Sequence, residues 1–191
     1  MMYERPLQDP NWQPILHRDL KPDNILLRSR ATEGSQKPPY CVISDFGLAC
    51  YEKGNDKFQS SWTKLGTKPF WAPELCLDPI GDTGKYFSSP HSRWSDVWAL
   101  GVCIYGLCRS NSLAHFIQRG DRYERNPILD PGRAYSQPLR DNVMKATEWS
   151  GSKREDARLL VKQFHWDVKH DKTVKVDIVL LPDWAMKKRS Y

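Results

Sequence analysis

The chain has 191 residues, of which 39% are hydrophobic and 27% charged, enough for one compact domain with a sizeable core. That balance suits a soluble globular protein and not a disordered chain, and no apolar run reaches the roughly 18 residues of a membrane span. The net charge of +6 is spread along the sequence, so a solvated basic surface is expected, with neither nucleic acid nor membrane as partner.

Met1 to Pro6 lack an apolar core followed by a small-residue cleavage site, so no secretory signal is expected. Cys41, Cys50, Cys76, Cys103 and Cys108 contain no C-x-x-C pair. They fit reduced thiols of an intracellular protein, cytoplasmic or nuclear, better than a disulfide frame or zinc site.

In chain order, the polar block His17 to Asn24 is followed by Ile25-Leu26-Leu27, whose apolar run predicts a short buried strand. Arg28 to Pro39 is polar and turn-rich, and Tyr40 to Ile43 predicts a second strand that ends at Ser44-Asp45-Phe46-Gly47. Two strands flanking a loop suggest a hairpin. Leu48 to Lys68 has few periodic positions and reads as an extended loop, and Pro73 suits the first turn of a short helix. With Ser95 as N-cap and Asp96 at the positive helix end, a helix is expected from Asp96 to about Leu107. Its apolar residues lie on nearly every face, which belongs at the centre of a core.

Gly106 to Tyr135 shows no clear period. Ser136 can cap a helix carrying Leu139, Val143 and Ala146. Ser152 and Glu155 form a capping-box pattern ahead of Ala157, Leu160, Val161 and Phe164. Thr173 to Leu181 alternates Val174, Val176, Ile178 and Leu180 and predicts a strand.

Four blocks then have to be explained together: His17-Arg18-Asp19-Leu20-Lys21-Pro22-Asp23-Asn24, Asp45-Phe46-Gly47, Gly66-Thr67-Lys68-Pro69-Phe70-Trp71-Ala72-Pro73-Glu74, and Ser95 to Gly101. In this order they resemble the catalytic loop, metal-binding motif, end of the activation segment and central helix of eukaryotic protein kinases of the Ser/Thr type. The resemblance covers about residues 15 to 162. It implies an α+β fold, a mainly α-helical kinase C-lobe with a small β-hairpin near the catalytic loop, over residues 1–162. Residues 163–191 are expected to be a C-terminal extension of unknown fold.

The resemblance also implies roles. Asp19 would be the base that orients and deprotonates a substrate hydroxyl, and Lys21 would steady the transferring phosphate of ATP. Asn24 and Asp45 are hard oxygen donors suited to Mg²⁺. Thr67 would belong to the pocket that selects Ser/Thr in a protein substrate. His17, Phe46 and Gly47 would be structural, although a ligand or base role for His17 stays open. Glu74 would pair with Arg154, or Arg154 is plain surface charge. Asp96 would bond the catalytic-loop backbone, or merely cap its helix. Arg18 would receive a phosphate on Ser60, Ser61 or Thr63, each otherwise an ordinary exposed hydroxyl.

A kinase also needs a Gly-rich loop over the phosphates, a strand lysine and a glutamate that pairs with it. No G-x-G-x-x-G and no Val-Ala-Ile-Lys-like strand occurs in the sequence. Two readings follow. The chain is the catalytic lobe of a Ser/Thr kinase, a fragment or truncated product; alternatively it is an inactive kinase-like binding or decoy module. Either way, surface that would face an N-lobe is expected to be exposed or covered by a partner.

Overall fold

The computed structural model describes residues 13–28, 39–52, 65–76, 91–109 and 128–170. Their architecture is α+β and mainly helical: four short strands come first, and three α-helices form the body. β1 (Ile15–Leu16) pairs antiparallel with β4 (Cys50–Tyr51), a strand within the stretch expected to be loop. β2 (Ile25–Arg28) pairs antiparallel with β3 (Tyr40–Ile43), in the register Ile25 opposite Ile43. These two ladders clamp the ends of the His17–Asn24 and Ser44–Ala49 segments between them.

The β2–β3 hairpin departs from expectation in its burial. Leu26 stands opposite Val42 and Leu27 opposite Cys41, so the two pairs lie on opposite faces of the ribbon. Both faces are open, with Leu26 53% and Leu27 55% exposed. An apolar run announces a strand, but whether it is covered depends on what packs above it.

α1 (Arg93–Arg109) starts three residues earlier than Asp96. Ser95 is not the cap; it lies in the first turn, where its hydroxyl donates to the Ser92 carbonyl (2.7 Å) and accepts the Ser92 N–H (3.0 Å). This is one half of a capping box, with Ser92 at the cap position. Asp96, Val97, Trp98, Val102 and Tyr105 are buried, whereas Leu107 near the helix end is exposed. The core gathers Trp98, Val102 and Tyr105 of α1 with Trp71, Leu75 and Val143.

α2 (Gln137–Ala146) follows Ser136, as expected, with Pro138 in its first turn. It approaches α1 closely at Gly101, where an added Cβ would lie 2.6 Å from Thr147 Cγ2 and 2.9 Å from Ala146 Cβ. Asp130 anchors the segment before α2 by a two-pronged contact with Arg140 (2.6 and 2.8 Å). Those hydrogen bonds, with one from the Gly132 N–H, hold its carboxyl far below the usual carboxylate range.

α3 (Ala157–His170) is capped by Asp156, whose Oδ1 accepts the Arg158 N–H at 2.8 Å. The Ser152–Glu155 capping box does not form, because Ser152 sits in a separate turn at Gly151–Lys153. The helix runs without interruption through residue 163 to His170. Thr173–Leu181 lies outside the described residues. No helix among the described residues is long and apolar enough to cross a membrane.

Candidate active site

The floor of the site is built from α1. Asp96, buried in its first turn, points its carboxylate at the chain between β1 and β2, accepting the His17 N–H (2.7 Å) and the Arg18 N–H (3.0 Å). Helix capping is therefore not its role. Two charge-assisted bonds of this kind stabilise more than neutral ones, and they act where the backbone is strained. Arg18 has φ 67° and Asp45 has φ 61°, left-handed values that cost a non-glycine residue about 1–3 kcal/mol unless the surroundings enforce them.

His17 ties the two strained places together. Fully buried, it accepts the Asp19 N–H at Nδ1 (3.3 Å), and its Nε2 donates to the Ser44 carbonyl (2.9 Å). Both ring nitrogens are thus engaged in holding backbone. Phe46, half exposed, meets the His17 ring edge-on at 5.1 Å. Ser44 adds a second tie, since its N–H (2.9 Å) and hydroxyl (3.1 Å) both donate to the Asn24 carbonyl.

Above this floor several of the side chains expected to be functional converge. Asp19 Oδ1 accepts the Thr67 hydroxyl at 2.7 Å. Lys21 Nζ lies 3.0 Å from Asp19 Oδ2 and 3.0 Å from Thr67 Oγ1. Asn24, in a turn led by Pro22, donates its amide to the Asp19 carbonyl at 2.9 Å. Asp19, Lys21, Asn24 and Thr67 therefore form one cluster, although Thr67 is 48 residues away in sequence. Gly66 makes that approach feasible: a Cβ there would lie 2.3 Å from the Arg18 carbonyl oxygen, and its φ is +89°. Asp45 leans on its own turn, accepting the Gly47 N–H at 3.3 Å.

The lower anchor is Glu74 with Arg154, a pairing that spans 80 residues at 2.9 and 3.1 Å. Arg154 is buried at 3% exposure. Its remaining protons go to the carbonyls of Trp94, Glu148 and Trp149, and its guanidinium lies 5.0 Å from the Trp98 ring. Arg154 is not a surface charge. Arg18 sends its Nε to the Leu48 carbonyl. Ser60, Ser61 and Thr63 lie outside the described residues.

Sequence reading missed four contributors. Ser44 and Gly66 act through backbone geometry, which motif spacing does not reveal, although Gly66 opens the third block. Glu52 holds α1 by accepting the Arg93 N–H (3.2 Å) and pairing with its guanidinium (2.6 Å). His91 lies in a small cavity lined by Arg18, Asp19, Thr67 and Asp96. Burial, followed by the nearby Arg18 charge, pushes its pKa down to about 4. No local pattern marks either residue.

A model of the protein kinase domain matches residues 12–174. The serine/threonine-protein kinase nekl-2 of Caenorhabditis elegans is 31% identical over 137 residues, covering 69% of this chain and 33% of the relative. Serine/threonine-protein kinase TOS3 of Saccharomyces cerevisiae is 41% identical over 102 residues, covering 50% of this chain and 16% of the relative. Human serine/threonine-protein kinase 32B is 38% identical over 95 residues, covering 50% and 19%. The chain spans a third or less of the length of these relatives.

Proposed function

The chain belongs to the protein kinase domain family, and from that premise we propose that it carries the phosphoryl-transfer half of a serine/threonine protein kinase. The reaction is transfer of the ATP γ-phosphate to a Ser or Thr hydroxyl of a protein substrate. The observation that carries the reading is the Asp19–Lys21–Thr67 cluster, in which a hydroxyl already donates to Asp19 at 2.7 Å. A substrate hydroxyl placed the same way is oriented by Asp19 and passes its proton there as its oxygen bonds to the γ-phosphorus and the bond from that phosphorus to the β-phosphate oxygen breaks, releasing ADP, an effect of about 10²–10⁴ in rate. The Lys21 ammonium offsets negative charge on the transferring group beside it.

The donor set fits Mg²⁺. Asn24 spends its amide N–H on Asp19, which leaves its oxygen as a ligand, and the Asp45 carboxylate supplies a second hard donor. Bound Mg²⁺ neutralises phosphate charge in this chemistry. The five cysteines are free thiols, and burial pushes Cys103 up to about 12, so an intracellular setting suits them.

The rest of the phosphate grip comes from a second lobe seated on β2–β3 and the turn after it, where Leu26, Leu27, Val42 and Phe46 are exposed. Those same residues favour a second reading, a binding module that never transfers phosphate. Titration calorimetry with Mg-ATP separates the two. The chain as given should bind weakly, and joining it behind a kinase N-lobe with a Gly-rich loop should restore tight binding. No binding by the joined protein would favour the binding module; tight binding by the chain alone would refute the need for a second lobe.

A further inference from the structure

Far from the cluster around Asp19, α3 presents a side that nothing among the described residues covers. None of its described residues is fully buried, and Trp166 is 59% exposed. Between α3 and the end of α2 runs an open groove of about 780 Å³. Its lining mixes two kinds of surface. Leu159 and Trp166 give apolar area; Lys145, Lys162 and Lys169 give charge, against Glu155 as the one acid among the described lining residues. None of these three lysines is ion-paired among the described residues.

Trp166 is held in place. His170 stacks on its ring at 4.3 Å with 21° between the planes, and His170 Nδ1 bonds back to the Trp166 carbonyl (2.6 Å). A large aromatic fixed before binding loses little side-chain freedom when a partner lands on it, and such residues dominate binding energy. An excess of unpaired lysines around it disfavours basic partners and draws acidic ones.

We infer that the α2–α3 groove is a docking site for an acidic peptide segment of another protein, one that carries an aromatic or aliphatic side chain to set against Trp166. A nucleic acid fits the lining less well. Tight binding to a phosphate backbone needs many cations in a row, whereas this groove offers three lysines and contains Glu155 itself. The site uses none of the residues assigned to phosphoryl transfer, so its failure would leave that assignment standing.

The test is fluorescence polarisation with the full chain and a labelled glutamate-rich peptide bearing one central phenylalanine. Saturable binding that weakens with added salt is expected. Lys145→Glu, Lys162→Glu and Lys169→Glu combined should weaken it more than about tenfold, and Trp166→Ala about tenfold. All four substitutions fall on exposed positions, and circular dichroism melts should confirm that the fold is retained; Lys162→Gln alone, a milder change, should still weaken binding measurably. Three results would overturn the proposal: equal binding of the same peptide with lysines in place of glutamates, tighter binding of an oligothymidylate, or affinity unchanged by every substitution. Absence of saturable binding to the folded chain would do so as well.

Discussion

The floor of the Asp19 cluster and the β2–β3 hairpin are adjacent in sequence, yet they are held in opposite ways. The floor is a lattice of long-range polar bonds: Asp96 to the His17 and Arg18 backbone across 79 and 78 residues, and Glu74 to Arg154 across 80. Among the described residues the hairpin is held chiefly by its own ladder, with apolar side chains open on both faces. A two-stranded ribbon of this kind is marginal by itself. The contrast separates two demands. Phosphoryl transfer needs charges fixed to within a fraction of an ångström, which a buried polar lattice provides. The second lobe proposed above would need exposed apolar area to sit on, and the hairpin has it.

The sharpest way to break the floor is Arg154→Met. It strands Glu74 and three backbone carbonyls that the guanidinium now satisfies. Removing one partner of a buried pair costs about 3–5 kcal/mol, so urea denaturation should show a loss of that size. A loss under about 1 kcal/mol would mean that the lattice is ornamental.

Acid should loosen the same floor through His91. Its folded pKa of about 4 lies below the ordinary 6.5, so the unfolded chain binds the extra proton first. This contribution to stability is complete above pH 6.5 and falls away as pH drops toward about 4. His91→Phe should flatten that part of a plot of Tm against pH. An unchanged slope would remove His91 from the account.

The hairpin should respond least. Leu26→Thr with Leu27→Thr keeps β-forming residues and removes exposed apolar area, so stability should move by less than about 0.5 kcal/mol. Binding of a hydrophobic dye should fall at the same time. A large loss of stability would show that the hairpin is covered after all.

Much of this was legible in the sequence, and the parts that were share a cause. Asp19, Lys21, Asn24 and Asp45 sit in short blocks whose spacing is tied to chemistry, the helix through Val143 follows apolar period, and the one through Trp98 is apolar on nearly every face. What stayed hidden was tertiary. Ser95 looked like a cap because capping residues are common in the first turn as well, and only the bond to Ser92 decides between them. Asp156 outcompeted Ser152 because the chain makes a separate turn at Gly151–Lys153. The two-residue strand Cys50–Tyr51 is too short to carry a period, and its existence depends on Ile15–Leu16 lying alongside. Ile25–Leu27 was readable as a strand but not as an exposed one.

The most direct test of the cluster around Asp19 is transfer of labelled phosphate from Mg-ATP to Ser, Thr and Tyr peptides by the protein joined to an N-lobe, with Asp19 intact or changed to Asn. The expected result is labelling of Ser and Thr but not Tyr, with kcat lowered about 10²–10⁴ by Asp19→Asn. Labelling of Ser and Thr at an unchanged rate in the Asp19→Asn protein would contradict the assignment.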